Sequence, residues 1–292
     1  MYKRRFFRLA RISAVVLAVS APLAADEIPP ITIGVSPPRF EVKIGTTPVN
    51  QAIKVFNFGE SRASIEVFVY DWELDDENKI KLLGPTEQSL DQWMIINPLR
   101  FTVEPGDFQT VRFSIRPKVQ PEIGEHRALI YFQQKPPEGP AALKIVGRVG
   151  VAIYGYAGAV HRVGELNGVD IRSDDNWTTA VFDVSSLGTA HVRMTGQYAV
   201  WPAADYPGVD QTHAVEDPMQ ESTLPASVLE AGRLPTLPVL PDSRRRLGLT
   251  LTRPLPPGNY VLDINGELSG TPLTLGLPFV VGASHVAQGA PE

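Results

Sequence analysis

The chain has 292 residues, 43% hydrophobic and 20% charged, with a formal net charge of −5. It contains no cysteine, which excludes thiol catalysis, cysteine-held metal and disulfide staples, so a stable fold has to rest on packed cores. The acidic balance argues against nucleic acid as a partner.

Residues 1–25 join a basic head (Lys3, Arg4, Arg5, Arg8, Arg11) to an apolar stretch, Ile12 to Ala25, that ends in small residues before Asp26. This is the pattern of a secretory signal peptide, with a retained membrane anchor as the alternative. Five of the 27 basic residues lie there, so an exported product would hold 22 basic against 32 acidic residues, a charge near −10. No later stretch reaches the roughly 18 apolar residues that a membrane span needs, so none is expected in the mature chain.

From Ile31 onward short β-branched and aromatic runs alternate with Gly, Pro, Asn and Asp clusters, the punctuation of an all-β protein. Ile31 to Ile44 reads as a strand broken at Pro37-Pro38, because proline cannot donate to a ladder; the break marks an edge or a switch between sheets. Gln51–Phe58, Ala63–Trp72, Trp93–Leu99, Phe101–Val103, Phe108–Arg116 and Gly124–Gln134 follow as strands. Glu104-Pro105-Gly106-Asp107 is a strong turn signal. Such a succession matches a β-sandwich of immunoglobulin size.

After the Pro/Gly-rich break at Lys135 to Pro140 comes Leu143 to Tyr156, free of proline and acid. Leu143, Ile145, Val149, Val151 and Ile153 share one parity, with Gly147 among them, so the stretch reads as one long strand. At roughly 3.3 Å per residue it spans about 45 Å. Surplus length of that kind presents unpaired backbone, which is either covered, for example by weak self-association, or used to add a strand from another chain. The alternative is a central strand buried on both faces.

Gly155 to Val163 is small and glycine-rich and marks the domain boundary. A second unit then offers strands at Gly164–Arg172, Thr178–Ser185, Ala190–Trp201, Arg244–Thr252, Gly258–Gly266 and Thr271–Val281. Pro202 to Asp242 is proline-rich and weakly periodic, so it reads as a long, partly disordered loop. The expected organisation is a signal peptide at 1–25, a first sandwich at 26–157, a second at 158–283 with its insertion at 202–242, and a flexible tail at 284–292.

Constellations for catalysis are weak. The histidines His126, His161, His191, His213 and His285 are scattered, and no nucleophile-elbow or phosphate-loop pattern occurs. Asp71, Glu73, Asp75 and Glu77 alternate, which reads as a solvated hairpin end rather than a calcium site. Arg244-Arg245-Arg246 reads as a solvated strand edge.

Ser36 to Val42 as first strand, Glu104-Pro105-Gly106 before a strand, Gly124 to Gln134, and the order of break, long strand and glycine-rich hinge together resemble the PapD-like periplasmic pilus chaperones. The resemblance implies two immunoglobulin-like sandwiches in a boomerang and no enzymatic activity, cofactor or ATP. It implies a protein that lends its long strand to pilus subunits lacking one and delivers them to an outer-membrane usher. It also implies two basic residues that hold the subunit's terminal carboxylate. Arg39 matches the first. The second, a lysine late in the long strand, is replaced by Ala152, for which Arg148 or Arg127 are the candidate substitutes. A structural or adhesive surface protein of two sandwiches, such as a pilus subunit, is the alternative reading.

Overall fold

Strands run through the chain because its apolar residues alternate, and the computed structural model, which describes residues 32–135, 147–174 and 176–282, places them in two β-sandwiches. The first holds β1 (Ile33–Ser36), β2 (Arg39–Ile44), β3 (Val49–Asn57), β4 (Ala63–Leu74), β5 (Ile80–Leu83), β6 (Met94–Asn97), β7 (Arg100–Val103), β8 (Phe108–Ile115), β9 (Gly124–Gln134) and β10 (Arg148–Ala157). The second holds β11 (Gly164–Ser173), β12 (Thr178–Ser186), β13 (Met194–Pro202), β14 (Glu230–Arg233), β15 (Ser243–Thr250), β16 (Gly258–Leu268) and β17 (Thr271–Val281).

In the first sandwich one sheet has the order β1-β3-β8-β6 and faces another, β2-β10-β9-β4-β5, with β7 also on β4. Alternation decides the core: Ile53 and Val55 of β3, Val111, Phe113 and Ile115 of β8, and Ile130 and Phe132 of β9 are all buried between the sheets. The break at Pro37-Pro38 is a change of sheet. Before it β1 pairs with β3, and after it β2 pairs in parallel with β10.

The second sandwich sets β11-β12-β15 against β14-β13-β16-β17 around Phe182, Val184, Val200, Leu247, Leu262 and Ile264. The insertion at 202–242 departs from expectation, because polar side chains fasten it to the second sheet. Asp263 of β16, 1% exposed, accepts hydrogen bonds from Tyr206 Oη (2.8 Å), Thr212 Oγ1 (3.0 Å) and Asn265 Nδ2 (2.7 Å). Gln197 of β13 donates to Val215 O (2.6 Å) and accepts from Val215 N (2.8 Å). Buried Glu230 accepts from Tyr198 Oη and Thr252 N.

The segment joining the sandwiches is clasped. Val163 O accepts from Leu187 N (2.8 Å), and His161 O accepts from Thr189 N (2.9 Å) and Ala190 N (3.2 Å). Gly188 allows this approach, since a Cβ there would sit 2.1 Å from His161 O. A third apolar cluster joins Trp72, Leu74, Tyr154 and Tyr156 of the first sandwich to Ala190 and Leu240 of the second. The arginine triplet is not simply solvated. Arg244 pairs in bidentate fashion with Asp183 at 2.7 Å, and Arg245 donates to the Leu74 and Asp75 carbonyls of the first sandwich. The acidic hairpin is self-satisfied: Asp75 accepts from Glu77 N and Lys79 N, and Glu73 pairs with Lys81.

Candidate partner-binding site

β10 is paired along its whole length by β9 but only along its second half by β2, whose first residue, Arg39, lies opposite Ala152. Among the described residues no strand pairs with Arg148–Val151 on that other side. The hydrogen-bond parity is fixed at both ends: Gly147 O accepts from Gln134 N, and Ala152 N donates to Pro38 O. In an antiparallel ladder alternate residues point their backbone groups to one neighbour. Val149 and Val151 therefore bond to β9, while the N–H and C=O of Arg148 and Gly150 point to the open side. The register runs from Arg148 to Ala157 without a shift.

Side-chain parity corrects one expectation. Val151 and Ile153 are fully buried in the first core, and Val149 packs against it, so Val151 cannot enter a partner's groove. The reason is that β10 still has the facing sheet across from it at these positions, and the odd side chains point inward. Leu143 and Ile145 lie outside the described residues.

The even residues of β10 face outward beside β2, β9 and β4. Phe68 and Tyr70 of β4 stack with centroids 6.4 Å apart, and Tyr70 meets Tyr131 of β9 at 6.3 Å. Gly150 leaves room for this floor, as a Cβ would lie 3.2 Å from both Leu129 and Tyr131. Arg148 lies over the Tyr131 ring at 4.6 Å.

Below the open edge the charge is positive. Arg39, with its side chain 47% exposed, has its Nε 3.4 Å from the Glu41 carboxylate. Glu41 is shared, since it also accepts from Tyr156 Oη (2.8 Å) and Arg162 (3.2 Å). Neither sequence-derived substitute joins Arg39. Arg127 is held by Glu125 (3.2 Å) and the Trp72 carbonyl, and Arg148 sits opposite Gln133, away from Ala152. The structure brings Arg193 of the second sandwich instead. Its Nη2 donates to Tyr154 Oη (2.9 Å), its Nη1 to Thr236 O (2.6 Å) and its Nε to His191 Nε2 (3.1 Å).

An arginine can only donate, so His191 Nε2 accepts and Nδ1 carries the proton, which it gives to Glu125 Oε2 at 2.6 Å. The His191 backbone N–H reaches the same oxygen at 2.8 Å. Burial works to raise the Glu125 pKa, but these bonds outweigh it and hold the carboxyl below its usual range. Burial pushes the Tyr154 phenol up to about 12, against the pull of Arg193. Burial also lowers the Arg193 pKa, with Arg39 adding to the effect. Among the described residues, Arg39 and Arg162 share Glu41, and Arg127 pairs with Glu125. The sequence signal for Arg193 was the i, i+2 spacing of His191 and Arg193, which places both on one side of an extended segment.

No family model matches the chain, and no curated protein matches it. Structures similar to it over most of its length include fimbrial chaperones. A chain of the CsuC–CsuE chaperone–tip adhesion subunit pre-assembly complex, from the archaic chaperone-usher Csu pili of Acinetobacter baumannii, is 12% identical, covers 84% of this chain and 98% of its own, and has a TM-score of 0.41. The E. coli chaperone DraB is 11% identical over 87% of this chain and 99% of its own, with a TM-score of 0.38. The YadV chaperone is 10% identical over 86% and 100%, with a TM-score of 0.40.

Proposed function

We propose that this protein is a non-enzymatic periplasmic chaperone of the PapD-like kind, which holds pilus subunits by strand addition at β10 and passes them to an outer-membrane usher. The observation that carries the reading is the half-paired β10, whose Arg148 and Gly150 backbones face a side where no strand pairs among the described residues. A subunit lacking a strand exposes unpaired backbone and an apolar groove. An extended segment of that subunit laid beside Arg148–Val151 satisfies backbone groups on both partners, each bond contributing about 0.5–1.5 kcal/mol net. The floor of Phe68, Tyr70 and Tyr131 offers the captured subunit an apolar surface to cover. Arg39, at the foot of the open edge, is placed to take a chain-terminal carboxylate. The reading involves no cofactor, and the leader at 1–25 supplies export.

Co-production with a pilus subunit that aggregates alone tests this. The expected result is a soluble one-to-one complex in which the Arg148 and Gly150 amides become protected from hydrogen exchange. A soluble complex with unchanged exchange at these two amides overturns strand addition at β10.

A further inference from the structure

We infer that the insertion at 202–242 builds a site for a primary alkylammonium group, with Glu230 as the residue that takes the charge. The site stands apart from strand addition at β10.

Glu230 is the first residue of β14, at the edge of its sheet. It lies opposite Val200 of β13, and paired residues share a face, so its side chain enters the gap between the sheets and the residue is only 4% exposed. Its Oε1 accepts twice, from Tyr198 Oη at 2.7 Å and from Thr252 N at 2.9 Å. Its Oε2 is buried and accepts nothing among the described residues. A buried carboxylate oxygen without a donor is costly, and native proteins keep few such groups. Glu230 also lines a cleft of about 290 Å³, together with Pro218, Met219, Glu221, Leu224 and Arg253. Among the described residues it is the one member of that lining with a buried, unpartnered side-chain polar atom. The loop across the cleft is held in shape by its own bonds, with Met219 N donating to Asp217 Oδ1 (3.1 Å) and Thr223 Oγ1 to the Asp217 carbonyl (2.6 Å).

Three features point to the ligand. The first is charge. Glu230 and Glu221 bring two negative charges to the cleft and Arg253 one positive charge. Arg253 is committed elsewhere: its Nη2 donates to the Leu229 carbonyl, and its Nη1 lies 3.6 Å from Glu221. One cation is therefore lacking. The second is the number of acceptors. With Oε1 used twice, a single carboxylate oxygen is left. A guanidinium is a planar fork that suits two acceptors, whereas an ammonium is a compact charge that bonds through one. No group of three or more His, Asp or Glu side chains suited to a metal ion occurs among the described residues, which argues for an organic cation. The third is the wall. Pro218, Met219 and Leu224 are apolar, and the Met219 side chain, on a residue 70% exposed, is adaptable enough to cover the methylenes behind an ammonium. Such a group is carried by a small free amine or by a lysine of a bound polypeptide.

The probes are n-pentylammonium and Nα-acetyl-lysine methylamide, with n-pentanol and Nα-acetylarginine methylamide as their neutral and guanidinium counterparts. Each is titrated into the intact protein at neutral pH, with the Glu230 carboxyl carbon and the Met219 methyl followed by NMR. The two ammonium probes are expected to shift both signals together and saturably. Their counterparts should bind roughly tenfold or more weakly, as the loss of a charge-assisted bond implies. Glu230→Gln should weaken the ammonium probes by a similar factor, and Met219→Ala should weaken pentylammonium to a smaller extent. Because the wild-type spectra report on Glu230 directly, the result does not depend on a variant that folds. Tighter binding of the lysine derivative assigns the site to a polypeptide's lysine, and tighter binding of pentylammonium assigns it to a free amine; both support the site. If the Glu230 carboxyl carbon resonates as a protonated acid and no probe moves it, a proton satisfies Oε2 and there is no site. Ammonium probes that move Met219 without Glu230, or counterparts that bind as well as the ammonium probes, overturn it equally.

Discussion

Replacing Arg148 by proline separates the two edges of β10. The Arg148 N–H points away from β9, so its loss breaks no bond of the native ladder. Proline is tolerated at the first residue of a strand, and Gly147 before it imposes no side-chain clash. The free protein loses the contact of Arg148 with Tyr131, about 0.5–1 kcal/mol for an exposed cation over a ring. In the complex the change leaves a carbonyl of the added strand without its donor, at about 1–3 kcal/mol, or roughly 5- to 150-fold in affinity. Val149→Pro is the counterpart. Its N–H bonds to β9, so the cost falls on folding. Hydrogen exchange on the free wild type, melting of both variants and subunit capture by both decide the matter. Arg148→Pro should melt close to wild type and capture poorly, and Val149→Pro should melt clearly lower. The reasoning fails if the Arg148 and Gly150 amides of the free protein are as protected as those of Val149 and Val151. Wild-type capture by Arg148→Pro refutes it equally.

Val151→Asp should be insoluble or lost to proteolysis, because a carboxylate in the first core costs several kcal/mol after relaxation; a soluble, cooperatively melting variant would remove Val151 from the core. Tyr206→Phe deprives the buried Asp263 carboxylate of a donor, about 1–3 kcal/mol, and should speed limited proteolysis within 202–242 ahead of global unfolding. Cleavage at the wild-type rate would show that this bond does not hold the insertion. Glu125 has a lowered folded-state pKa, so its contribution is fully present above the ordinary glutamate value of 4.5 and is lost as pH falls through the lower folded value. Melting temperature should therefore drop below about pH 4.5, and Glu125→Gln should flatten that part of the profile. Parallel acid profiles for the two proteins would show that Glu125 contributes nothing to the linkage.

The all-β class, most strands of the first sandwich and the sheet change at Pro37-Pro38 were legible because they depend on local alternation and on proline's missing donor. Other features were not local. Ile80–Leu83 escaped notice because the strand is largely exposed and shows no buried parity. Ala190 to Arg193 looked like the start of a strand, but β13 begins at Met194 and the preceding residues bind the first sandwich. The parity of Val149, Val151 and Ile153 was correct, but nothing in the run of residues tells which part of a long strand has a second sheet across from it. Arg193 was invisible as a neighbour of Arg39 because about 150 residues separate them in sequence. The insertion seemed loose because its order comes from Asp263 and Gln197, polar anchors on distant strands that hydrophobic periodicity does not register.

The parallel pairing of β2 with β10 has a kinetic meaning. Arg39–Ile44 cannot meet Ala152–Ala157 until nearly the whole first sandwich has been threaded between them. Closing so long a loop is entropically expensive and slow relative to the hairpins around it, so this seam is expected to be the last of the first sandwich to zip. Until then β10 is open along its full length on that side. Folding then covers it from Ala152 onward and stops, because the prolines have sent β1 to the other sheet. The edge at Arg148–Val151 is thus a stretch of unfinished folding preserved in the native state, in a protein whose proposed clients are themselves a strand short.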